Sequence, residues 1–255
     1  MDMIIDVHNH HWGGNDFLKR LLNGMDEAGV NKVCLSGLGI DGMPGNEAVE
    51  EAFKEHPDRI IGFGVIFPGR SPFEKVDDLY SREFKGLKMI VPTKRYDHED
   101  FMPYYQKAED YRMPILFHTG VIMSFKEDKD LGTSSSYMRP AYLDKIARVF
   151  PKLKIIAAHM GDPWFLEAYR IAQYCPNMWL DVSGAAIFIK ALNIRKYLWI
   201  RVSPDKLLWG SDAPPEKYLQ LLITWRTLIR EIGISEEDSE KIFGKTATQI
   251  LGIKC

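Results

Sequence analysis

The sequence predicts an α/β protein and, within that class, a single (β/α)8 TIM barrel over residues 1–255. Short apolar runs alternate eight times with amphipathic stretches of helical period. The runs are apolar throughout, as expected for parallel strands that are covered on both faces. Eight such units in 255 residues match the size of a closed barrel and leave no room for a second domain. A doubly wound open sheet is the alternative, but the first strand–helix turn lacks the GxGxxG motif.

The eight predicted strands are short runs rich in β-branched and other apolar residues. They cover residues 3–8, 32–37, 59–67, 84–91, 114–120, 153–161, 178–184 and 206–212. The intervening stretches carry apolar residues at three- and four-residue spacing, which predicts helices with one buried face. The clearest of these cover residues 17–29, 142–150, 218–233 and 235–252. Prolines fall where helices end or strands begin, at Pro57, Pro114, Pro151, Pro176 and Pro204.

One predicted loop, which follows the fifth strand, is unusually long. Residues 121–139 contain charges, a glycine and a serine run but no helical period. A segment of this length in a compact domain is usually a functional lid or a disordered insertion. Its place after the fifth strand puts it on the face of the barrel where active sites lie.

Composition and charge argue against several functional classes. The 33 basic and 35 acidic residues nearly balance, which gives no indication of binding to nucleic acid or to a membrane surface. Cys34, Cys175 and Cys255 are far apart and form no CxxC motif, so we expect no disulfide framework. The sequence shows no signal peptide and no run of about 18 apolar residues. We therefore expect a soluble cytoplasmic protein.

Four histidines and one aspartate lie at the carboxyl ends of predicted strands. They are His8 and His10 on the first strand, His118 on the fifth, His159 on the sixth and Asp212 on the eighth. Side chains two residues apart on a strand point to the same face, so His8 and His10 can share one cation. Only a closed barrel brings the first strand beside the eighth. The fold and site predictions therefore support one another.

The remaining three histidines are expected to have structural roles and not to bind the cation. His56 and His98 fall in helix and loop positions. His11 points away from the His8–His10 pair, so we expect it to lie outside the ligand set. It would form a hydrogen bond there or line the mouth of the barrel.

Four motifs, DVHNHH, FHTG, AHMG and WGSDAP, occur in this order from the first strand to the eighth. Together they resemble the amidohydrolase superfamily, in particular the metal-dependent branch that includes aminocarboxymuconate-semialdehyde decarboxylase. The resemblance implies that His8, His10, His118 and Asp212 bind one divalent metal ion, most often Zn²⁺. It also implies that Asp212 and His159 are catalytic. Asp212 would accept a proton from a water nucleophile, and His159 would orient water or substrate and donate to a developing negative charge.

Lys88, on the fourth predicted strand, has several possible roles. In binuclear members of the superfamily a carboxylated lysine on this strand bridges two metal ions. A buried lysine that pairs with an acid, or one that contacts a substrate carboxylate, is the simpler interpretation. The GLK pattern around Lys88 also occurs in the mononuclear branch that the chain resembles.

Other candidate substrate-binding residues follow the predicted strands: Trp12, Arg95, Tyr137 and Arg139. Arginines at these positions would suit a carboxylate, which they bind in a bidentate manner. Arg95 and Arg139 are equally well explained as surface groups near helices. We expect a small-molecule substrate; a carboxylate on it would suit these arginines, but the sequence does not identify the substrate.

Several functions remain open on the sequence alone. The first is hydrolysis of a small amide, ester or lactone, and the alternative is non-oxidative decarboxylation of an aromatic or unsaturated acid. A metal-free lactonase and a non-catalytic metal-binding barrel are further alternatives. The resemblance also predicts a homodimer, because dimers are frequent among similar proteins.

Overall fold

Eight parallel strands form one sheet in which each strand pairs with the next along the chain. The computed structural model describes residues 3–126 and 128–253; Cys255 and residue 127 of the predicted long loop lie outside this part. The strands are β1 (Ile5–His10), β2 (Lys32–Ser36), β3 (Ile60–Ile66), β4 (Gly86–Met89), β5 (Ile115–Phe117), β6 (Ile155–Ala157), β7 (Met178–Asp181) and β8 (Leu207–Leu208).

The segment after β8 closes the sheet against β1. The Val7 amide donates to the Trp209 carbonyl at 3.1 Å, and the Asp212 amide donates to the His8 carbonyl at 2.8 Å. These contacts bring the first and last edges together, so the sheet is a nearly closed barrel. The predicted (β/α)8 TIM barrel is confirmed.

A buried side-chain network strengthens this closure. The Asp6 carboxylate accepts hydrogen bonds from the Ser211 hydroxyl at 2.5 Å and the Tyr218 hydroxyl at 2.6 Å. Asn9 donates to the same Tyr218 hydroxyl at 2.9 Å and to Ser211 Oγ at 2.9 Å. The network therefore holds β1 to the chain on both sides of Asp212.

Eleven α-helical segments are present in the described part of the chain. They are α1 (Phe17–Ala28), α2 (Asn46–Glu55), α3 (Lys75–Ser81), α4 (Met102–Asp110), α5 (Asp128–Leu131), α6 (Leu143–Val149), α7 (Phe165–Tyr174), α8 (Ile187–Tyr197), α9 (Tyr218–Glu231), α10 (Glu236–Glu240) and α11 (Thr246–Leu251). None is long and apolar enough to cross a membrane. In α1, Phe17, Leu21 and Met25 form the predicted buried stripe, and the helix ends at Gly29 with a left-handed φ of 70°.

The last predicted helix, residues 235–252, is interrupted rather than continuous. A π-helical turn (Lys241–Lys245) separates α10 from α11. Within this turn the Ile242 carbonyl accepts a hydrogen bond from the Trp209 amide at 2.8 Å. Gly244 lies so close to the Met3 carbonyl that a Cβ atom would come within 1.7 Å of its oxygen. The turn thus lets the helix dock against the barrel, which periodicity alone does not predict.

Several strands end earlier than the sequence predicts. His118 is the first residue after β5, His159 lies two residues after β6, and Asp212 lies four residues after β8. The backbone of His159 (φ 58°) and of Asp212 (φ 45°) is left-handed, which is incompatible with a strand. Strained backbone of this kind tends to occur at functional sites, where the surrounding structure holds it.

The long segment after β5 contains a short helix, α5, and a 3-10 turn (Ser135–Met138). Phe125 and Leu131 are buried from solvent, at 7% and 6% exposure. They pack in one apolar cluster with Leu38, Val65 and Ile90, which follow or end β2, β3 and β4. The segment therefore covers part of the barrel mouth.

Candidate metal centre

The five predicted site residues converge at the carboxyl end of the barrel. His8 and His10 are buried at the end of β1, and His118 is buried directly after β5. The side chains of His159 and Asp212 keep 13% and 20% of their surface exposed. One ligand atom from each of His8, His159 and Asp212 lies within 4.8 Å of the other two.

The Nε2 atoms of His8 and His10 point toward each other. The two Nε2 atoms are 3.2 Å apart. Asp212 Oδ1 lies 3.5 Å from His10 Nε2 and 4.0 Å from His8 Nε2. Three potential ligand atoms therefore surround one point.

The Nδ1 atoms of the same two rings have hydrogen-bond acceptors. His8 Nδ1 lies 2.9 Å from Asp181 Oδ2 and 2.9 Å from Ser183 Oγ. His10 Nδ1 lies 3.0 Å from Ser36 Oγ, which also lies 3.3 Å from the Asn9 carbonyl and can donate to it. These partners favour the Nδ1–H tautomer for both rings, which leaves both Nε2 atoms as lone pairs. Two lone pairs at 3.2 Å repel each other unless a cation lies between them.

His118 presents a third free nitrogen. Its Nδ1 lies 3.3 Å from His159 Nε2. Its Nε2 is buried and has no hydrogen-bond partner in the described part of the chain. A buried ring nitrogen without a partner is costly, and binding a metal ion would remove that cost.

Burial keeps the imidazoles neutral. Burial lowers the pKa of His8, His10 and His159 well below the ordinary value, with nearby positive charge adding to the effect. Burial, assisted by the Lys88 ammonium, lowers the pKa of His118 to about 3. All four rings can therefore act as neutral ligands or hydrogen-bond groups at neutral pH.

Burial acts on Asp212 in the opposite direction. It raises the pKa of this carboxyl to about 7, although Lys88 and Lys190 oppose the shift. The carboxyl therefore exchanges its proton near neutral pH, as a general acid or base must.

Lys88 lies fully buried beneath the site. Its Nζ is 2.8 Å from His8 Nε2, and burial lowers its pKa to about 8 while Asp212 and Asp181 oppose the shift. In the described part of the chain Lys88 has no carboxylate within 4.0 Å. A divalent cation on His8 Nε2 would require this ammonium to move aside, because both would use the same lone pair.

The residues present fit a divalent cation. Two ligand atoms at about 2.0–2.1 Å from a tetrahedral ion lie roughly 3.3–3.4 Å apart. The separations of 3.2 Å between the two Nε2 atoms and 3.5 Å between His10 Nε2 and Asp212 Oδ1 are close to this value. Neutral imidazoles and a carboxylate are the ligands that zinc-like ions prefer.

A family model described as amidohydrolase matches residues 5–253. The chain belongs to this family. The match confirms the resemblance predicted from the four histidine- and aspartate-containing motifs, and it covers the barrel from β1 to the residues after α11. No curated protein sequence matches the chain.

Several solved structures are similar to nearly the whole chain. A probable 2-pyrone-4,6-dicarboxylic acid hydrolase from Acinetobacter baumannii, with citric acid bound, is 18% identical, with a TM-score of 0.67 over 99% of this chain and 100% of that one. A dihydroxybenzoic acid decarboxylase from a Polaromonas species, with bound manganese, is 16% identical (TM-score 0.68; 99% and 97%). A 5-carboxyvanillate decarboxylase from Novosphingobium aromaticivorans, complexed with manganese, is 15% identical (TM-score 0.69; 99% and 96%). At sequence identities of 15–18%, this structural similarity establishes the shared fold alone.

The predicted substrate-binding residues have varied surroundings. Trp12 donates from its indole nitrogen to Asn9 Oδ1 at 2.9 Å, and its ring lies 6.0 Å from that of His10. Tyr137 is half-buried in the 3-10 turn after α5. Its side chain therefore belongs to the segment over the mouth.

The two predicted arginines have partners of their own. Arg95 pairs with Asp97 at 3.2 Å and lies over the ring of Tyr142. Arg139 pairs with Glu167 and lies over the ring of Trp164. A substrate carboxylate would have to compete with these carboxylates, and substrate binding by both arginines stays a prediction.

The sequence does not single out the residues that orient the imidazoles. Asp181 ends β7, where its Oδ1 accepts from the amides of His159 at 3.0 Å and Ser183 at 2.9 Å. The signal is an aspartate that closes the apolar run MWLD. Ser36 and Ser183, which contact His10 and His8, carry no signal that separates them from ordinary turn serines.

Cation affinity is expected to depend on pH through Asp212. Below a pKa of about 7 the proton on this carboxyl competes with the cation, whereas the histidines are already neutral. We therefore expect the affinity of the metal-free protein for Zn²⁺ to rise by up to about tenfold per pH unit between pH 5.5 and 7. Calorimetric titration in buffers across this range measures the effect. The variant Asp212→Asn should bind more weakly and lose this dependence; an equally steep slope in that variant would assign the proton to another group.

Proposed function

We propose that this amidohydrolase is a metal-dependent hydrolase of a small amide, ester or lactone that carries a carboxylate. His8, His10, His118 and Asp212 would hold one divalent cation, and the set of imidazoles and one carboxylate favours Zn²⁺. The observation that carries the proposal is that Nε2 of both His8 and His10 lies within 4.0 Å of the Asp212 carboxylate, while the buried Nε2 of His118 has no partner among the described residues. When bound, the cation supplies a Lewis acid that polarises a substrate oxygen and makes nearby water more acidic.

The chain's own residues supply the proton transfer. Hydrolysis requires a base that removes a proton from water, and the Asp212 carboxylate, which lies beside the imidazoles, is the proposed acceptor. His159 lies beside it, with Nδ1 at 3.9 Å from Asp212 Oδ2. We assign His159 to orienting Asp212 and the substrate rather than to holding the cation, because Ser183 and His118 occupy its two ring nitrogens, whereas the partner of His8 Nε2 is an ammonium that a cation would displace.

The proposed substrate carboxylate has a possible counter-ion inside the barrel. Lys88 is a buried ammonium without a carboxylate partner among the described residues, and it must leave His8 when the cation binds. A substrate carboxylate that reaches into the site would give this displaced charge a partner. The cytoplasmic location predicted from the cysteines and the homodimer predicted from the resemblance remain part of the proposal.

Decarboxylation of an aromatic or unsaturated acid is the second candidate. It is favoured by the similar solved structures, several of which are decarboxylases of hydroxylated benzoic acids. In this reaction Asp212 in its protonated form would deliver a proton to the carbon that loses carbon dioxide.

A substrate panel separates the two candidates. Protein loaded with Zn²⁺ or Mn²⁺ is offered carboxylated six-membered lactones, cyclic amides and hydroxybenzoic acids, and ring opening and carbon dioxide release are measured in parallel. We expect ring opening that is lost in Asp212→Asn and retained in Asp205→Asn, because Asp205 is exposed and precedes β8 at the other end of the barrel. Release of carbon dioxide without any ring opening would replace the hydrolase with the decarboxylase.

A further inference from the structure

Helix α8 buries a lysine beside Ala191 and Ile194 and exposes three large apolar side chains. Lys190 is buried, at 1% exposure, whereas Phe188, Ile189 and Leu192 on the same helix are each more than half exposed. Burying an ammonium is costly unless it is paired or hydrogen-bonded. In the described part of the chain no carboxylate lies within 4.0 Å of Lys190, so its compensation comes from elsewhere.

The partner of Lys190 is a backbone carbonyl beside the metal centre. Its Nζ donates to the carbonyl of Ser183, two residues after β7. The same carbonyl lies 3.3 Å from His159 Nδ1. One oxygen therefore contacts both the buried ammonium and a ring of the candidate site.

The Ser183 side chain further restricts which nitrogen of the His159 ring carries the hydrogen. Its hydroxyl hydrogen is donated to Asp181 Oδ1 in a short hydrogen bond, so its oxygen faces the nearby rings as an acceptor. That oxygen lies 3.0 Å from His159 Nδ1. Both Ser183 oxygens are thus acceptors at Nδ1, and His159 must carry its hydrogen there.

This tautomer determines the tautomer of His118. With its hydrogen on Nδ1, His159 presents Nε2 as a lone pair, and His118 Nδ1 donates to it at 3.3 Å. The hydrogen of His118 is then on Nδ1, and its Nε2 is the buried nitrogen without a partner. A continuous path of contacts runs from Lys190 through Ser183 and His159 to His118.

We propose that Lys190 is a positioning residue that anchors Ser183, both of whose oxygens accept at His159 Nδ1, and thereby sets the tautomers of His159 and His118, so that His118 Nε2 is left as a lone pair. The proposal rests on the proposed function only in naming the cation as the occupant. Outer partners of this kind orient metal-binding histidines, and losing one typically lowers metal affinity about 10–100-fold.

The experiment reads the tautomers directly in metal-free protein. Histidine ring ¹⁵N shifts are measured at pH 7 in the wild type, Lys190→Met, Lys190→Arg and Lys206→Met, and the Zn²⁺ dissociation constant is measured for each. Lys206 is a matched control, because it also donates to backbone carbonyls, those of Cys175, Pro176 and Met178 at the opposite end of β7.

The wild type is expected to show hydrogen on Nδ1 of both His159 and His118. Lys190→Met should give a mixture of tautomers and bind Zn²⁺ about 10–100-fold more weakly. Lys190→Arg, which keeps a cationic donor, should restore most of both properties. Lys206→Met should lower the unfolding midpoint and leave the tautomers and Zn²⁺ affinity unchanged.

Two results would overturn the proposal. One is hydrogen on Nε2 of His159 in the wild type, which decides the matter even if Lys190→Met does not fold. The other is a Lys190→Met variant with wild-type tautomers and a Zn²⁺ dissociation constant within twofold of the wild type. Failure of the proposed function is a different result: the wild type would bind no Zn²⁺, while Lys190→Met would still change the ring tautomers.

Discussion

His118→Ala is expected to remove most of the bound cation and to abolish turnover. The variant deletes the buried Nε2 that has no partner among the described residues, and with it one of the three candidate imidazole ligands. We expect Zn²⁺ affinity to fall by more than about 100-fold, because loss of an orienting partner alone costs about 10–100-fold. Elemental analysis after dialysis, together with calorimetric titration, measures the loss.

His11→Ala is the matched control for this loss. His11 follows the His8–His10 pair in the sequence, but its ring packs on Phe17 with centroids 4.1 Å apart, and its Nδ1 accepts from the Gly13 amide at 3.2 Å. This variant should keep a full equivalent of metal. If His118→Ala also keeps a full equivalent, the ligand set is instead His8, His159 and Asp212, whose ligand atoms lie within 4.8 Å of one another.

Asp6→Ala is expected to cause a large loss of stability. Asp6 is completely buried, and its carboxylate accepts from two hydroxyls and from the amides of His8 and Ser211. Burial raises the pKa of Asp6 to about 6, although these hydrogen bonds oppose the shift, so the group is ionised at pH 7. Its removal leaves several buried donors without an acceptor, each of which costs about 1–3 kcal/mol. We expect the free energy of unfolding to fall by about 3–5 kcal/mol.

Denaturant titration of Asp6→Ala at pH 7 measures this loss, and metal binding provides a second measurement. Because the network holds His8 and Asp212 in position, the variant should also bind Zn²⁺ more weakly. Asp110→Ala, which changes an exposed aspartate at the end of α4, should change stability by less than about 0.5 kcal/mol. A loss for Asp6→Ala that is no larger than that of Asp110→Ala would show that barrel closure does not depend on this carboxylate.

The barrel could be predicted because its signal is repeated. Eight apolar runs, each followed by a helical pattern, agree with only a few topologies, and residues 206–212 had to lie beside the first strand for the histidines and Asp212 to meet. The carboxyl ends of the strands were harder to place. His159 and Asp212 have left-handed backbone that ends the strands, and an apolar run such as LKIIAAHMG contains no signal for that change.

Only the candidate ligands of the site, and not the residues that orient them, could be predicted from the sequence. Histidines at strand ends are rare enough to stand out, whereas Asp181, Ser183 and Ser36 are ordinary residues until their distances to the rings are known. Lys190 is the extreme case. From the sequence, the apolar residues Phe188 and Ile189 would be expected to face the barrel and the lysine to face solvent. In the structure Lys190 faces inward and donates a hydrogen bond to the Ser183 carbonyl, while Phe188 and Ile189 are exposed.

Anomalous diffraction at the zinc absorption edge, from crystals of the Zn²⁺-loaded protein, tests most directly whether residues from distant strands share one cation. We predict a single peak per chain, coordinated by Nε2 of His8, His10 and His118 and by the Asp212 carboxylate. A peak elsewhere, or no peak at the end of β1 in protein that carries a full equivalent of zinc, would contradict the account.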